Sequence, residues 1–243
     1  MNNPSINIPA NFSPYQCFAN KPSSIYSGTH STAVTCLQHQ LLAAPIAGKD
    51  YRLEAFGRVI PFLICGEQSA IDVFGNADNI DSATAVSLLK REFAKIESEE
   101  AGHELLWQTL VHQLPQPADL RLLKRRAALF FARLGRADTV AEHFAQVSQL
   151  DSAVGAIMWS LEHSEIAKDE RVKAVAKLIK HDEARHVSVS RRFALGLGVE
   201  RDKYHELGSK IRHELLALLA PIADSIEDLG IDASAMFKRI AKS

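Results

Sequence analysis

Two short motifs of the same kind carry the side chains best suited to hold metal ions. The first places Glu100 three residues before His103, and the second places Glu183 three residues before His186. Residues at i and i+3 lie on the same face of a helix, so each Glu and His can bind one metal ion together. Two such motifs, with one carboxylate from each of two further helices, form the ligand set of a two-metal site in a four-helix bundle.

Both motifs are predicted to face the interior of the protein. Phe93, Ile96 and Trp107 share the helical face of the first motif, and Val175 and Ile179 share that of the second. Apolar residues at this helical spacing indicate a buried face. Burying an ionised carboxylate is costly unless it is paired or binds a metal. Two inward-facing copies therefore favour a metal site over two chance occurrences.

Hairpin geometry predicts the other two ligands, because residues equidistant from the turn of an antiparallel helix pair lie at one level. A turn near residues 76–82 brings Glu67 level with Glu100, and a turn near 165–169 brings Asp151 level with Glu183. The two separations agree, since 100 − 67 is 33 and 183 − 151 is 32. The predicted catalytic and metal-ligating residues are therefore Glu67, Glu100, His103, Asp151, Glu183 and His186.

Glu162 is the alternative to Asp151, since it lies eleven residues later on nearly the same helical face. Using Glu162 would move the turn to about residue 172, inside the predicted next helix. Glu142 on the same helix has another explanation, because Thr139 and Glu142 have the spacing of a capping box. Asp151 is preferred, and the choice between Asp151 and Glu162 stays open at this stage.

Helical periodicity continues through most of the chain and predicts an all-α fold. Residues 1–33 are rich in Asn, Pro and Ser and are expected to form an irregular arm before one helical domain over 34–243. The metal-binding bundle is expected at about 50–195, with accessory helices over 201–242. Its long helices are predicted at 51–74, 83–113, 139–164 and 169–195, with a basic helix at 118–134.

These motifs resemble those of the ferritin-like di-iron carboxylate oxygenases, which are four-helix bundles with additional helices. The string from Asp182 to His186 is similar to the Asp-Glu-x-Arg-His motif of bacterial multicomponent monooxygenases. In that family the acid before the bridging Glu hydrogen-bonds the His of the opposite motif. The resemblance therefore implies that Asp182 orients His103 and that Glu99 orients His186. Asp151 stands where the family usually has Glu.

The resemblance further implies an O2-dependent non-haem oxidoreductase, a monooxygenase that hydroxylates or N-oxygenates a small organic molecule. Two iron ions would be held by the six predicted ligands, with Glu100 and Glu183 bridging them. Manganese, or one ion of each metal, would fit the same ligands. An external electron donor such as a ferredoxin or a reductase is also implied. The alternative is a metal-binding or peroxide-handling protein of the same fold without an organic substrate.

Composition limits the other classes of function. The formal net charge is −1 and the pI is about 6.8, so nucleic acid and anionic membranes are not expected as partners. No stretch is predicted as a membrane span or a secretion signal. Cys17, Cys36 and Cys65 are expected to be reduced thiols of a cytoplasmic protein. A homodimer is compatible with the sequence, and the basic helix is either a solvated face or a docking strip for an acidic partner.

Overall fold

The computed structural model describes residues 17–18, 30–75 and 86–243, with the backbone alone for 86–90. The described residues contain no β-strand, so the predicted all-α fold is confirmed. Two short 3-10 segments, Ile166–Lys168 and Ala220–Ile222, lie between helices. The helices are α1 (Thr32–Ala43), α2 (Asp50–Gly75), α3 (Val86–Val111), α4 (Leu120–Leu134), α5 (Val140–Glu162), α6 (Glu170–Gly196), α7 (Arg201–Leu219), α8 (Ala223–Asp228) and α9 (Ala233–Lys242).

Side-chain caps fix the starts of α5 and α6. The Thr139 hydroxyl accepts a hydrogen bond from the Glu142 amide at 3.1 Å, and the Asp169 carboxylate accepts one from the Arg171 amide at 3.0 Å. Such caps satisfy amides that have no partner within the helix. The observed ends of α2, α5 and α6 lie within two residues of the predicted ends. Residues 76–85, which hold the predicted first turn and the predicted start of α3, lie outside the described residues.

Two helix pairs form the centre of the molecule. Helix α2 packs against α3, α5 packs against α6, and α3 packs against α6. A cluster of aromatic rings joins the pairs at one end, where the Phe93 ring lies 4.9 Å from that of Phe144 and Phe144 lies 4.7 Å from Phe193. This arrangement is compatible with the predicted four-helix bundle.

Helices α7, α8 and α9, at the predicted accessory positions, cover one side of these pairs. Helices α7 and α9 pack against α5, and α8 packs against α2. Arg58 on α2 donates a hydrogen bond to the Ser225 hydroxyl on α8 at 3.1 Å. Because α8 contacts α2 while α7 and α9 contact α5, the C-terminal segment closes the groove between α2 and α5.

The expectation of three reduced thiols is wrong for two of the cysteines. The sulfur atoms of Cys17 and Cys65 are in contact as a disulfide, with Cα atoms 5.4 Å apart. Cys36 is exposed and free. Because Cys17 lies in the predicted arm, most of which is outside the described residues, sequence spacing gave no sign that it reaches α2. The thiol-based support for a cytoplasmic protein is therefore lost.

Among the described helices, none is both long enough and apolar enough to cross a membrane. Their apolar faces are buried against one another instead. Cytoplasmic localisation stays a prediction.

Asp169 connects the start of α6 to the segment that precedes α2. Its carboxylate forms an ion pair with Arg171 at 2.6 Å and accepts a hydrogen bond from the Ala47 amide at 2.9 Å. Burial alone would raise the pKa of Asp169, but these bonds outweigh it and lower the pKa to about 2. The carboxylate therefore stabilises the fold above its unfolded-state pKa of about 3.9, and this stabilisation is lost as the pH falls towards 2.

We predict that Asp169→Ala lowers the free energy of unfolding by about 1–3 kcal/mol at pH 7, because a helix cap and a buried ion pair are lost together. The difference from wild type should shrink as the pH falls from about 4 towards 2. Urea denaturation at several pH values measures it. Asp232→Ala, which removes an exposed cap of α9, is the control and should cost less. A difference that is equal at pH 7 and pH 2.5 would contradict this account.

Candidate metal centre

The two Glu-x-x-His motifs meet at the centre of the molecule. Glu100 and His103 lie on α3, Glu183 and His186 lie on α6, and all four side chains are buried. Glu100 lies between the two imidazoles: its carboxylate is 3.5 Å from His103 Nδ1 and 2.9 Å from His186 Nδ1. The helical spacing therefore brings the two predicted halves of the site into one cluster.

Glu67 on α2 joins this cluster at the level that hairpin geometry predicted. Its carboxylate lies 3.5 Å from His103 Nδ1. One possible ligand atom from each of Glu67, Glu100, His103 and Glu183 can be chosen so that all four lie within 4.8 Å of one another. This buried group can hold a metal ion.

Asp151 on α5 completes the ring of carboxylates. It is buried, and its charge interacts with those of Glu183, Glu100 and Glu67. Glu162, the alternative, lies away from the cluster and forms an ion pair with Lys180. The loop between α5 and α6 covers residues 163–169, as the preferred reading of the sequence required. Asp151 is thus the acidic side chain of α5 that faces the cluster, and its role as a ligand stays a prediction.

A second carboxylate holds each imidazole from behind. Asp182 lies 3.1 Å from His103 Nε2, and Glu99 lies 2.9 Å from His186 Nε2. Arg185 forms ion pairs with Glu99 and, at 3.1 Å, with Glu92. These are the crossed contacts that the resemblance implied. They favour the tautomer with a proton on Nε2 and a lone pair on Nδ1, because the carboxylates accept the Nε2–H bonds.

Several polar atoms point into the cluster without satisfied hydrogen bonds. Among the described residues, His103 Nδ1, His186 Nδ1, Asp151 Oδ2 and Glu183 Oε2 are buried and form no well-aligned hydrogen bond, although His186 Nδ1 lies 2.9 Å from the Glu100 carboxylate. Buried polar atoms in folded proteins are almost always hydrogen-bonded or bound to a metal. Once deprotonated, imidazole nitrogens and carboxylate oxygens are the atom types that bind iron, manganese or zinc. The donor set therefore fits a metal centre.

The electrostatics of the cluster favour added positive charge. Burial, followed by the neighbouring Glu100 charge, raises the pKa of Glu67 well above its usual value. Burial and Glu183 do the same to the pKa of Asp151. The pKa of Glu100 is instead lowered, because the charge of His186 and the contacts with Glu67 and His103 outweigh the effect of burial. A bound cation would let the remaining carboxylates ionise, with release of protons.

Trp107 has a contact that the sequence analysis did not foresee. Its indole Nε1 donates a hydrogen bond to Glu67 at 2.9 Å, and the ring is fully buried against Phe56. Trp107 lies four residues after His103, on the same face of α3, and its helical spacing indicated only an apolar core residue. An indole N–H on the face that carries a Glu-x-x-His motif was the signal that could have identified it.

A second unforeseen group lies behind Glu67. Gln68 donates a hydrogen bond from Nε2 to the buried carboxylate of Glu104 at 2.6 Å, and its Oε1 accepts one from the Cys17 amide at 2.9 Å. Burial raises the pKa of Glu104 to about 7. These contacts fix the part of α2 that carries Glu67 against both α3 and the segment around Cys17.

An apolar cavity opens onto one side of the cluster. Glu67, Glu100, Asp151 and Glu183 line it, together with side chains from α2, α4, α5 and the C-terminal helices. Apart from those four carboxylates, Ser69 and Gly66, the lining side chains are hydrocarbon or thioether. The cluster is therefore accessible to an apolar molecule of suitable shape.

Comparison of the chain with protein-family models, curated proteins and solved structures found no match in any of the three. The class that the fold and the site define is an all-α protein with a buried Glu/His group that can hold a metal ion.

We predict that Asp182→Asn weakens metal binding by roughly 10- to 100-fold with little effect on folding, because the amide no longer orients His103 as a carboxylate does. The dissociation constant for Fe(II), measured anaerobically by competition with a chelator, checks the effect. Asp202→Asn, at the start of α7, is a control that removes an acid distant from the cluster in sequence. Unchanged affinity in Asp182→Asn would show that the contact with His103 is incidental.

Proposed function

We propose that this protein is an O2-dependent non-haem oxidoreductase with two iron ions in the cluster, and that it oxidises a small organic molecule. The observation that carries the proposal is the convergence, among the described residues, of two imidazole Nδ1 atoms and two carboxylate oxygens that form no well-aligned hydrogen bond and lie beside the carboxylates of Glu67 and Glu100. Six ligands would hold the ions: Glu67, Glu100, His103, Asp151, Glu183 and His186.

Charge balance supports two ions rather than one. Glu67, Glu100, Asp151 and Glu183 carry four negative charges when ionised, and the contacts described around them include no Lys or Arg. With both imidazoles neutral, as metal-ligating imidazoles are, a single divalent ion would leave two negative charges uncompensated in the core, which is costly. Two divalent ions neutralise all four. Iron and manganese both suit mixed imidazole and carboxylate ligands.

The protein's own groups have distinct tasks in this proposal. Glu100, which lies between both imidazoles, is the carboxylate shared by the two halves of the site. Asp182 and Glu99 hold His103 and His186 in the tautomer that presents Nδ1. Trp107 fixes one oxygen of Glu67. Two bound Fe(II) ions would supply the electrons that reduce O2, and the surrounding apolar side chains exclude bulk water from the cluster.

The apolar cavity favours an oxidoreductase with an organic substrate over the alternative, a metal-binding or peroxide-handling protein without one. Ions and peroxide are polar and need no hydrocarbon-lined space beside the metals. A cavity lined by apolar side chains with a few polar groups at one place is the usual form of a small-molecule site. Here those polar groups are the carboxylates of the cluster.

Turnover in this proposal needs electrons from an external donor. Helix α4 presents the exposed side chains of Arg121, Arg125 and Arg133, beside exposed Leu122 and Leu129. A basic and partly apolar face of this kind suits an acidic electron-transfer protein such as a ferredoxin. The donor is part of the proposal, as is the choice between hydroxylation and N-oxygenation.

We predict about two iron or manganese ions per chain after anaerobic loading, because six ligands make a two-metal set. Asp151→Ala should lose at least one ion, and Asp151→Glu, which keeps a carboxylate, should retain two. Glu162→Ala, an acidic change on the same helix away from the cluster, is the matched control and should also retain two. Elemental analysis of the folded proteins gives the counts. A folded wild-type protein that binds no metal would remove the basis for the site.

The proposed oxygenation of an organic substrate is tested separately from metal binding. Iron-loaded protein with a chemical reductant and 18O2 should incorporate label into an organic compound that binds in the cavity, and O2 uptake should rise with product. Mass spectrometry and an oxygen electrode measure the two quantities. Asp151→Ala should abolish both. Uptake of O2 without a labelled organic product, for every compound shown to bind, would favour the alternative without an organic substrate.

A further inference from the structure

The cavity beside the cluster is long. Its lining runs along α2 from Val59 to Val73 and along α5 from Val147 to Leu161. Each span covers fourteen residue steps, or about 21 Å at about 1.5 Å per residue. The space between atoms amounts to about 1040 Å³, including the part open to solvent, although a water-sized sphere fits in only a small part of it. The cavity is therefore a narrow channel rather than a round chamber.

The carboxylate cluster divides this channel into two unequal arms. Asp151 is four residues from Val147 but ten from Leu161, and Glu67 on α2 is six residues from Val73 and eight from Val59. The arms are therefore about 6–9 Å and about 12–15 Å long. The longer arm runs towards the start of α2 and the end of α5. These two helix ends lie close together, as the ion pair between Arg52 and Glu165 at 3.3 Å shows. The Glu165 amide donates a hydrogen bond to the Leu229 carbonyl at 3.0 Å, and Leu229 and Met236 line the cavity, so this is the arm that the C-terminal helices cover.

The long arm ends against the C-terminal helices. Leu229 and Met236, which line it there, are 0% and 2% exposed. At the other end, Ser69, Ala70 and Val73 of α2 are partly exposed within the described part of the chain. One end of the channel is therefore closed, and the other lies nearer the surface.

The chemistry of the long arm excludes a polar occupant. Its lining beyond the cluster includes no Lys, Arg, His, Asn or Gln, and the side chains there are those of Val, Leu, Ile, Phe and Met. A polar group buried here would have no hydrogen-bond partner among these side chains, so its transfer from water would cost free energy. The occupant of this arm is therefore hydrocarbon, and the narrow shape favours a linear chain over a fused ring system.

We propose that the substrate is a linear aliphatic compound whose hydrocarbon tail fills the closed arm and whose polar end lies at the carboxylate cluster. An extended chain advances about 1.3 Å per carbon, given C–C bonds of about 1.5 Å, so an arm of about 12–15 Å holds roughly nine to twelve carbons. Oxidation at this chain rests on the proposed function, whereas binding of the chain does not.

Primary alkanols test the proposal because they carry no charge that could bind a metal. Dissociation constants for 1-hexanol to 1-tetradecanol, measured on the full-length metal-free protein by displacement of a fluorescent dye, should fall about fourfold for each added methylene. The gain in affinity should stop near dodecanol, whose chain fills the long arm. Cyclododecanol, with the same carbon number in a wide ring, should bind at least tenfold more weakly than 1-dodecanol. An affinity independent of chain length, or equal for the two dodecanols, would overturn the proposal.

A variant that shortens the long arm tests whether the alkanols bind in it. Val154 lines the channel three residues beyond Asp151, towards the closed end. Val154→Phe should raise the dissociation constant of 1-dodecanol at least tenfold and change that of 1-hexanol by no more than about threefold. Val140→Phe makes the same change on the same helix at a position that is 45% exposed, and it should leave both affinities unchanged. Equal chain-length dependence in Val154→Phe and wild type would also overturn the proposal.

Folding of the variant is checked by its circular dichroism and melting temperature. If Val154→Phe does not fold, Met236→Trp fills the far end of the same arm and should move the end of the chain-length series to shorter alkanols. Because these measurements use metal-free protein, their failure leaves the two-metal count untouched. A protein that binds alkanols in this way but takes up no metal would instead contradict the proposed function alone.

Discussion

The burial of four carboxylates inside an apolar helical core is the constraint on which the rest of the structure depends. An ionised carboxylate in such surroundings costs several kcal/mol unless a counter-charge or hydrogen bonds compensate it. Elsewhere in this protein, buried acids have such partners, as Asp169 has Arg171. In the metal-free cluster the cationic groups are the two imidazoles, whose pKa values the neighbouring carboxylates raise despite burial, and the raised pKa values of Glu67 and Asp151 indicate that this compensation is incomplete. Bound cations would complete it.

The other features of the core follow from this requirement. Each imidazole needs a fixed orientation, and Asp182 and Glu99 supply it from the opposite helix, which also ties α3 to α6. Glu67 needs a fixed rotamer, and Trp107 supplies it. The same contacts leave one side of the cluster facing an apolar channel instead of a packed core. The C-terminal helices, which bring no residue to the cluster, close that channel.

Much of this could be predicted from the sequence, because helical periodicity is a local property. The i, i+3 spacing of Glu and His, the turn positions and the apolar faces were sufficient to place Glu67 and Asp151 level with their partners. They also explain why Glu162 falls away from the cluster. The contacts of Asp182 and Glu99 came from resemblance, not from spacing, since periodicity does not tell which side chain on a neighbouring helix lies behind an imidazole.

What escaped the sequence were contacts between segments distant along the chain. The apolar pattern of residues 201–242 indicates a buried face but not the helices that face it, so the channel between α2, α5 and α9 was not foreseen. The meeting of Cys17 and Cys65 depends on the path of the segment before α1, which carries no periodicity. Trp107 was assigned to the core by its hydrophobic character, although its N–H is what reaches Glu67.

The central claim is that these four carboxylates and two imidazoles enclose two metal ions. Anomalous diffraction at the iron edge, from crystals grown without oxygen and soaked in Fe(II), tests it most directly. The account predicts two peaks inside the bundle, roughly 3.5–4 Å apart as in other two-metal sites, with His103 and His186 each bound through Nδ1. A bundle without anomalous density between α3 and α6, or iron found only at surface sites, would contradict it.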